Sequence, residues 1–450
     1  MSRMLKPGLL FLGIAFSCLF FYTLTLHNDH VQILLKAFKY IDTGVLTNFG
    51  NAGTGVGFVP GSFLTVITAL PMSWYFSPYS AMFVILVFHL VSLLLFSNVL
   101  KENFGPIVVV DFLLLYWLSP WRVEQSELYN PAYLFLFSAM HFYTSYYMTK
   151  KSFWLTFFHV IAIGFCAQIH YSVLMLAILS LGLYYFRFVK VNWYGFFAGC
   201  AVVIASLIPY LIEYSTQQKL TVTLNKDSHS FIARNLILVY PVLKGITYWI
   251  RYGAISYGRH IFSEINFAWM NEGFLQKAVS VSFHSLKWVF SIITLLWSAK
   301  IQGQTFLKIW KTEHPFQRDA VDRTQVVKEE RINLYAFYLF FAMLLAVALS
   351  PVELNHWHLI LCFPVITVLM TLGFSKLRTK LPPRKFQWIF ASVLIVFCLF
   401  DILGALGSRS HSAHSNFHQE VMTLYREYEK DSANKLNTNY QAWHHYSLDN

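Results

Sequence analysis

The chain has 450 residues, of which 56% are hydrophobic and only 12% charged, with a net charge of +12. Soluble domains carry about 25% charged residues, so this composition excludes an ordinary soluble protein. Long, continuous apolar runs predict an all-α polytopic membrane protein rather than a membrane β-barrel. The basic residues lie largely between these runs, where the positive-inside rule accounts for them, so no nucleic-acid partner is predicted.

The apolar segments predict twelve helices embedded in the lipid bilayer. The first follows Arg3 and Lys6 and lacks a small-residue cleavage site, so we expect a retained helix with a cytoplasmic N-terminus. The run 153–188 is too long for one helix and is interpreted as a hairpin that turns near "QIHYS". The predicted helices are 8–26, 60–77, 79–99, 105–120, 130–149, 153–168, 171–188, 194–213, 275–298, 333–351, 357–374 and 386–406.

Clusters of Lys and Arg predict the orientation of these helices. Lys150–Lys151, Arg187 with Lys190, the 299–332 loop and "KLRTKLPPRK" should be cytoplasmic. This orientation requires an odd number of crossings, whereas twelve segments are counted. Either 60–77 is a partial helix, or a weaker segment within 228–255 changes the count.

The predicted organisation is a transmembrane domain, 1–407, followed by a polar tail, 408–450, on the outer side of the membrane. A first outer loop, 27–60, should carry amphipathic helices, and the outer segment 214–274 should hold amphipathic helices in the membrane interface. The tail contains one predicted helix, "HQEVMTLYREYEKDSANKL". All five cysteines lie in apolar segments without a metal or disulfide spacing, and are expected to be small core residues.

The polar residues of the first outer loop offer the strongest catalytic candidate. Asp29 stands between His27 and His30, where the first helix leaves the bilayer. A carboxylate at the mouth of an apolar cavity can serve as a general base, and a neighbouring histidine can orient it or share a metal. The alternative is a solvated loop. The glycine-rich stretch "GNAGTGVGFVPGS" that follows is either a turn or a backbone cradle for a phosphate.

Other polar residues lie at two further outer turns and within the bilayer. "SPWRVEQSELYNP" carries Arg122, Glu127 and Asn130, and "QIHYS" carries Gln168 and His170. His356 and His358 are spaced i, i+2 and do not share a helix face, so metal binding by that pair is not expected. Two acids lie within apolar helices: Asp401 is interpreted as structural, and Asp111 as a candidate for proton handling in a transporter.

The order of these motifs resembles the membrane glycosyltransferases of the GT-C superfamily, in particular bacterial relatives of protein mannosyltransferases and aminoarabinose transferases. The resemblance covers about the first 190 residues. It rests on Asp29, "KAFKYIDTG", "GFVPGSFLTVITALP", "LSPWRVEQSELYNP" and "AQIHYS". It implies a GT-C-like fold of about eleven to thirteen transmembrane helices in a bacterial inner membrane.

The resemblance also implies an activity. A hexosyl or pentosyl group would pass from a polyprenyl-phosphate donor to a lipopolysaccharide, another cell-envelope glycan, a lipid or a protein. Asp29 would be the base or help to hold a divalent metal, although His30 replaces the second acid that family members often carry, which leaves the metal open. Arginines would face the leaving phosphate, and polar side chains would border the sugar. The proposed substrate-binding residues are His30, Arg122, Glu127, Asn130, Gln168, His170, Arg251 and Arg259.

Three other functions fit parts of the sequence. A secondary transporter would explain twelve helices, Asp111 and a half-helix at 60–77, although no repeat relates the two halves. A polysaccharide polymerase or ligase would share lipid-linked substrates and use 214–274 as its large outer loop. A membrane scaffold would leave the acid of the first outer loop unexplained.

Overall fold

The computed structural model describes residues 2–53, 57–216, 239–254, 273–317, 328–350, 355–408 and 410–435, with 265, 267, 269, 270, 323 and 326. The first half of the chain contributes α1 (Ser2–Thr23), α2 (Asn28–Thr43), α3 (Phe63–Trp74), α4 (Pro78–Phe104), α5 (Pro106–Phe112), α6 (Pro120–Val123), α7 (Leu134–Tyr147), α8 (Phe153–Ala167), α9 (Val173–Tyr185) and α10 (Trp193–Thr216). The second half contributes α11 (Val239–Tyr252), α12 (Phe274–Thr312), α13 (Lys328–Ala348), α14 (Phe363–Lys380), α15 (Pro383–Gly407) and α16 (Phe417–Lys435).

These helices confirm the predicted all-α polytopic membrane fold. Within the described residues, seven segments are long and apolar enough to cross a membrane: 5–23, 78–104, 193–215, 274–312, 328–348, 356–380 and 383–407. Shorter apolar helices at 63–74, 106–117, 153–167 and 173–185 lie where further segments were predicted. The hairpin predicted in 153–188 is present as α8 and α9, with the turn at 168–172.

Helix α3 is too short to cross a bilayer. Its 12 residues extend about 18 Å, whereas the hydrocarbon core is about 30 Å thick. It packs between α2 and α4. It follows an antiparallel hairpin of β1 (Phe49–Gly53) and β2 (Gly57–Pro60). This geometry agrees with a partial helix at 60–77, one of the two expectations raised by the span count.

The chain returns through the protein interior after α5. Five residues of π-helix, Leu113–Trp117, end this short helix beside the middle of α1. The indole N–H of Trp117 donates to the Leu10 carbonyl of α1 at 2.9 Å. Gly13 allows this approach, since a Cβ there would lie 2.2 Å from the indole nitrogen. Most of residues 118–129 are buried, and apart from the one-turn helix α6 they are non-helical. Such backbone is tolerated in a membrane protein when it is packed inside protein.

Two predicted boundaries differ from the structure. Helix α12 continues to Thr312, so the first part of the expected cytoplasmic loop 299–332 is helical. Helix α11 does not lie only in the interface, because Trp249 and Tyr252 on it are buried against the helical bundle. An amphipathic helix can bury its apolar face against protein as well as against lipid, and sequence does not distinguish the two.

The polar tail returns to the end of α1. The Thr25 amide donates to the Ser410 carbonyl at 2.8 Å, and Leu24 pairs with His411 in an antiparallel bridge. The helix predicted in the tail is present as α16, and it packs on α2 and α4. The tail therefore covers the polar end of the first helix.

Candidate functional site

Two histidines and a glutamate meet where α1 ends and α2 begins. His27 is the N-cap residue of α2, and His30, three residues on, lies on the same helix face. Their ring centroids are 3.6 Å apart. The Glu127 Oε2 atom lies 3.8 Å from His27 Nε2 and 3.9 Å from His30 Nε2. One ligand atom from each residue lies within 4.8 Å of the other two, and we call this group the His–His–Glu cluster.

Glu127 reaches the histidines because the loop that carries it is fixed to α1. The hydroxyl of Ser126 donates to the hydroxyl of Ser17 at 3.1 Å. Leu128 is buried on the other side of the glutamate. The neighbouring residues thus hold the Glu127 backbone against the bundle, while its side chain keeps 12% exposure.

The interior histidine of the cluster is fully buried. The side chain of His30 has 0% exposure, and neither ring nitrogen makes a hydrogen bond of normal geometry to the described part of the chain. Burial, followed by repulsion from His27 and His411, lowers the pKa of His30 well below its usual range. An interaction with the Thr25 backbone raises this pKa, but it is the smallest of these effects. His30 is therefore a neutral imidazole with an available nitrogen lone pair.

His411 is a third histidine beside the cluster. Burial and repulsion from His27 lower its pKa to about 3. Its Nδ1 atom shares a 3.1 Å hydrogen bond with the Ser408 hydroxyl, whereas its Nε2 atom has no partner among the described residues. The tail thus adds an imidazole to the polar end of α1, outside the His–His–Glu cluster itself.

A cavity of about 510 Å³ lies between α2 and α16, next to the cluster. His27, with 35% exposure, belongs to both the cluster and the cavity wall. Glu420 on the opposite wall accepts a 2.7 Å hydrogen bond from the Leu26 amide. The lining mixes polar and apolar side chains and comprises Leu26, His27, Asn28, Val31, Asn416, Gln419, Glu420, Thr423, Leu424 and Glu427.

Asp29 lies in the first turn of α2, between the two histidines. Its side chain is partly exposed. The positive end of the helix dipole stabilises a carboxylate at this position. A carboxylate there can accept a proton from a hydroxyl.

A second polar network joins three of the predicted motifs. Lys36 Nζ donates to the Gly50 carbonyl at 2.6 Å and to Asn51 Oδ1 at 3.0 Å. Asn51 donates to Asn130 Oδ1 at 3.0 Å, and Asn130 donates to the Ile169 carbonyl at 2.9 Å. Burial lowers the pKa of Lys36 to about 7. The network ties α2, the β-hairpin, the 118–133 loop and the α8–α9 turn together.

Gln168 and His170 contribute to the same region from the α8–α9 turn. The Gln168 amide donates to the Ser206 hydroxyl at 2.7 Å, and its side chain fills the space over Gly61, where φ is +82°. The Ser172 amide donates to His170 Nδ1 at 3.1 Å. Burial and the neighbouring His358 lower the pKa of His170 to about 3, so it is a neutral ring.

The arginines expected near a donor phosphate have different placements. Arg122 has 0% exposure, and its guanidinium donates to the Trp117 and Gly13 carbonyls and to the Ser17 hydroxyl. All three of its nitrogens bond to protein atoms, so this geometry does not offer Arg122 to a phosphate, contrary to expectation. Arg251 is buried with its guanidinium 4.9 Å from the Tyr248 ring centre. Arg259 lies outside the described residues.

The two acids inside apolar helices both lie near arginines. Arg378 Nε donates to Asp111 Oδ2 at 3.2 Å, and its Nη2 atom donates to Oδ1. Asp111 is therefore half of a salt bridge. Asp401 is fully buried near Arg122, and neither of its carboxylate oxygens has a hydrogen-bond partner among the described residues. Its structural role stays a prediction.

Sequence reasoning did not name all of the residues that the structure brings together. It listed His30 and Glu127 as substrate-binding residues but left out His27, although the i, i+3 spacing of the two histidines indicates a shared helix face. It placed Lys36 only in an amphipathic segment. His411 carried no local signal, because its proximity depends on the path of the tail.

Comparisons with known proteins gave one structural likeness. No protein-family model matches the chain, and no curated protein matches it in sequence. The structure is similar to ArnT from Cupriavidus metallidurans in the apo state, with a TM-score of 0.48 and 10% sequence identity. The match covers 85% of this chain and 62% of that one. The chain thus spans less than two thirds of the ArnT chain.

Proposed function

We propose that the chain is a membrane glycosyltransferase that moves a sugar from a polyprenyl-phosphate donor to a hydroxyl of a cell-envelope glycan, lipid or protein acceptor. The proposal places the reaction at the periplasmic face of a bacterial inner membrane. It rests on one observation: the His–His–Glu cluster lies just after the first apolar helix, its member His27 lines a cavity, and Asp29 stands between the two histidines in the first turn of α2. A lipid-linked donor needs apolar helices for its chain and a polar mouth for its sugar, and this arrangement offers both. The motif order of the first 190 residues supports the same activity.

The proposed chemistry is direct displacement at the anomeric carbon. The acceptor hydroxyl loses its proton to Asp29, and its oxygen forms the new bond to the anomeric carbon. The bond from that carbon to the phosphate oxygen breaks, and the lipid phosphate leaves with the bonding electrons. One displacement inverts the anomeric configuration. Neutral polar groups beside the reaction, such as His170, orient hydroxyls without competing for the proton.

The leaving phosphate requires positive charge or N–H donors. Arg251 and Arg259 remain the proposed contacts, whereas Arg122 is assigned to holding the 118–133 loop. Asn130 is likewise proposed to position rather than bind, because its amide already bonds to Asn51 and Ile169. A divalent metal at the cluster would supply a Lewis acid for the phosphate or the acceptor oxygen.

A secondary transporter remains the second candidate, since it fits the number of apolar helices. A proton-relay acid should be able to change its protonation state during transport. Asp111 instead forms two hydrogen bonds with Arg378, so both of its oxygens are already held by a protein partner, as in a structural acid. This contact favours the transferase over a proton-coupled transporter. The polymerase or ligase alternative shares the donor and differs in forming products of many repeat units.

The test is sugar release from a panel of synthetic polyprenyl-phosphate sugars by purified protein. Asp29→Asn should lower the rate at least about 100-fold, the usual effect of removing a general base. Asp42→Asn is the matched control, because Asp42 is at the other end of α2 and bonds to Tyr425 at 3.0 Å. It should retain the wild-type rate.

Two outcomes would overturn this assignment. Full activity of well-expressed Asp29→Asn would remove Asp29 as the base. The transporter would be favoured if the wild-type protein moved a substrate across vesicle membranes but released no sugar from any donor, even when a crude envelope fraction was added as acceptor. Products of many repeat units would point to the polymerase.

A further inference from the structure

We propose that His27, His30 and Glu127 form a binding site for a zinc-class divalent metal ion. Sequence alone suggested only that the first outer loop could hold a metal through its acid. The structure instead brings two imidazoles and a carboxylate together from segments almost 100 positions apart. The proposal does not depend on the identity of any sugar substrate.

The distances fit a site that has not yet contracted around an ion. Metal–ligand bonds of 2.0–2.2 Å in a tetrahedral site put neighbouring ligand atoms about 3.3 Å apart. The observed separations from Glu127 Oε2 are 3.8 and 3.9 Å. All three ligand atoms lie within 4.8 Å of one another, so contraction around an ion needs movements of about 0.5 to 1.5 Å. His27 can supply them, because its ring is partly exposed at the N-cap of α2.

The buried histidine is the strongest evidence for a ligand. An imidazole at 0% exposure without a hydrogen bond of normal geometry is costly, since its polar atoms have lost water and gained at most a poorly aligned contact with the Thr25 backbone. The Nε2 atom of His30 lies 3.9 Å from the glutamate oxygen, which is too long for a hydrogen bond. A cation between the two would satisfy both groups at once.

The donor set selects the class of metal. Two imidazole nitrogens and one carboxylate oxygen suit Zn²⁺ and similar transition ions, whereas Mg²⁺ and Ca²⁺ prefer oxygen ligands. Three protein ligands also leave one tetrahedral position open. His27 lines the cavity between α2 and α16, so the open position would lie next to that cavity. The site is thus of the kind that can bind an oxygen of a substrate.

Cobalt binding provides the test, because tetrahedral Co²⁺ has a strong visible spectrum and replaces Zn²⁺ in such sites. The full-length protein, carrying an affinity tag without histidines, is stripped with a chelator and titrated with Co²⁺. We expect one equivalent bound with a tetrahedral spectrum, displaced by Zn²⁺ and not by millimolar Mg²⁺. His27→Ala and Glu127→Gln should each weaken binding more than about tenfold, as losing even an outer-sphere partner does.

Two further variants distinguish loss of a ligand from loss of the fold. His414→Ala is the control, since His414 is exposed on the tail and outside the cluster; it should bind like the wild type. His27→Cys replaces a nitrogen ligand by a thiolate, and it should keep binding and add a sulfur-to-cobalt charge-transfer band. That band would identify position 27 as a ligand even if the alanine variant were unstable.

The proposal is overturned if the wild type binds no stoichiometric Co²⁺, or if binding is the same in folded His27→Ala and Glu127→Gln. Absence of the charge-transfer band in folded His27→Cys would also overturn it. The titration contains neither donor nor acceptor. A failure of metal binding therefore leaves the transferase proposal standing, and inactivity on every donor leaves a positive metal result standing.

Discussion

Replacing Arg122 with lysine separates a structural role from a phosphate contact. The guanidinium bonds to two carbonyls and one hydroxyl, on Trp117, Gly13 and Ser17, and its Cζ atom lies 4.1 Å from the Trp117 ring centre. A single ammonium cannot reach all of these acceptors. Because unpaired buried groups and broken buried charge networks are costly, we expect a loss of about 3 to 5 kcal/mol.

Thermal unfolding in detergent, followed by tryptophan fluorescence, measures this loss. At about 2.1 cal/mol/K per residue, the expected decrease in melting temperature is roughly 3 to 5 °C for a chain of this length. Arg384→Lys, on the exposed start of α15, is the matched control and should change stability by less than about 0.5 kcal/mol. The KM for the donor should be unchanged for the folded fraction of Arg122→Lys. An unchanged melting temperature with a raised KM would refute the structural role.

Two other substitutions test the packing and the electrostatics. Lys36→Met should abolish a rise in stability with pH. The buried amine has a pKa of about 7, so between about pH 7 and 10 the unfolded chain holds a proton that the folded chain lacks. The stability of the wild type therefore increases across that window. Melting temperatures from pH 6.5 to 9.5 check this, and a parallel slope in the variant would contradict it. Gly13→Ala should destabilise by about 1–3 kcal/mol, because its Cβ would lie 2.2 Å from the Trp117 indole nitrogen. Gly8→Ala, with open space around the glycine, should melt at the wild-type temperature or above.

Local sequence patterns predicted most of the helices, but not the residues at which some of them end. Long apolar runs specify helices because no other open structure satisfies the backbone in lipid. The helix of the tail was predicted from its amphipathic spacing, and it is α16. The extension of α12 to Thr312 was missed, because polar residues beyond a membrane boundary are equally compatible with helix and loop.

The candidate site was predicted in part. Asp29 and His30 were singled out because polar residues directly after an apolar run are conspicuous. Arg122 was singled out by the same reasoning, but its donors are used within the protein. Sequence gives the chemical type of a side chain and not the partners that surround it. The exposure of Arg122 depends on α1, which is about 100 residues away along the chain.

The sequence by itself determined that this is a helical membrane protein with a polar cluster at the end of its first span. Composition and hydrophobic runs act over a few turns of helix, so they can be read without a fold. Only the tertiary structure decided that Glu127 faces His27 and His30, and that the tail returns to form the opposite wall of the cavity. Those contacts join residues about 100 to 400 positions apart. They arise from the packing of α1, α2 and the 118–133 loop, which no local pattern encodes.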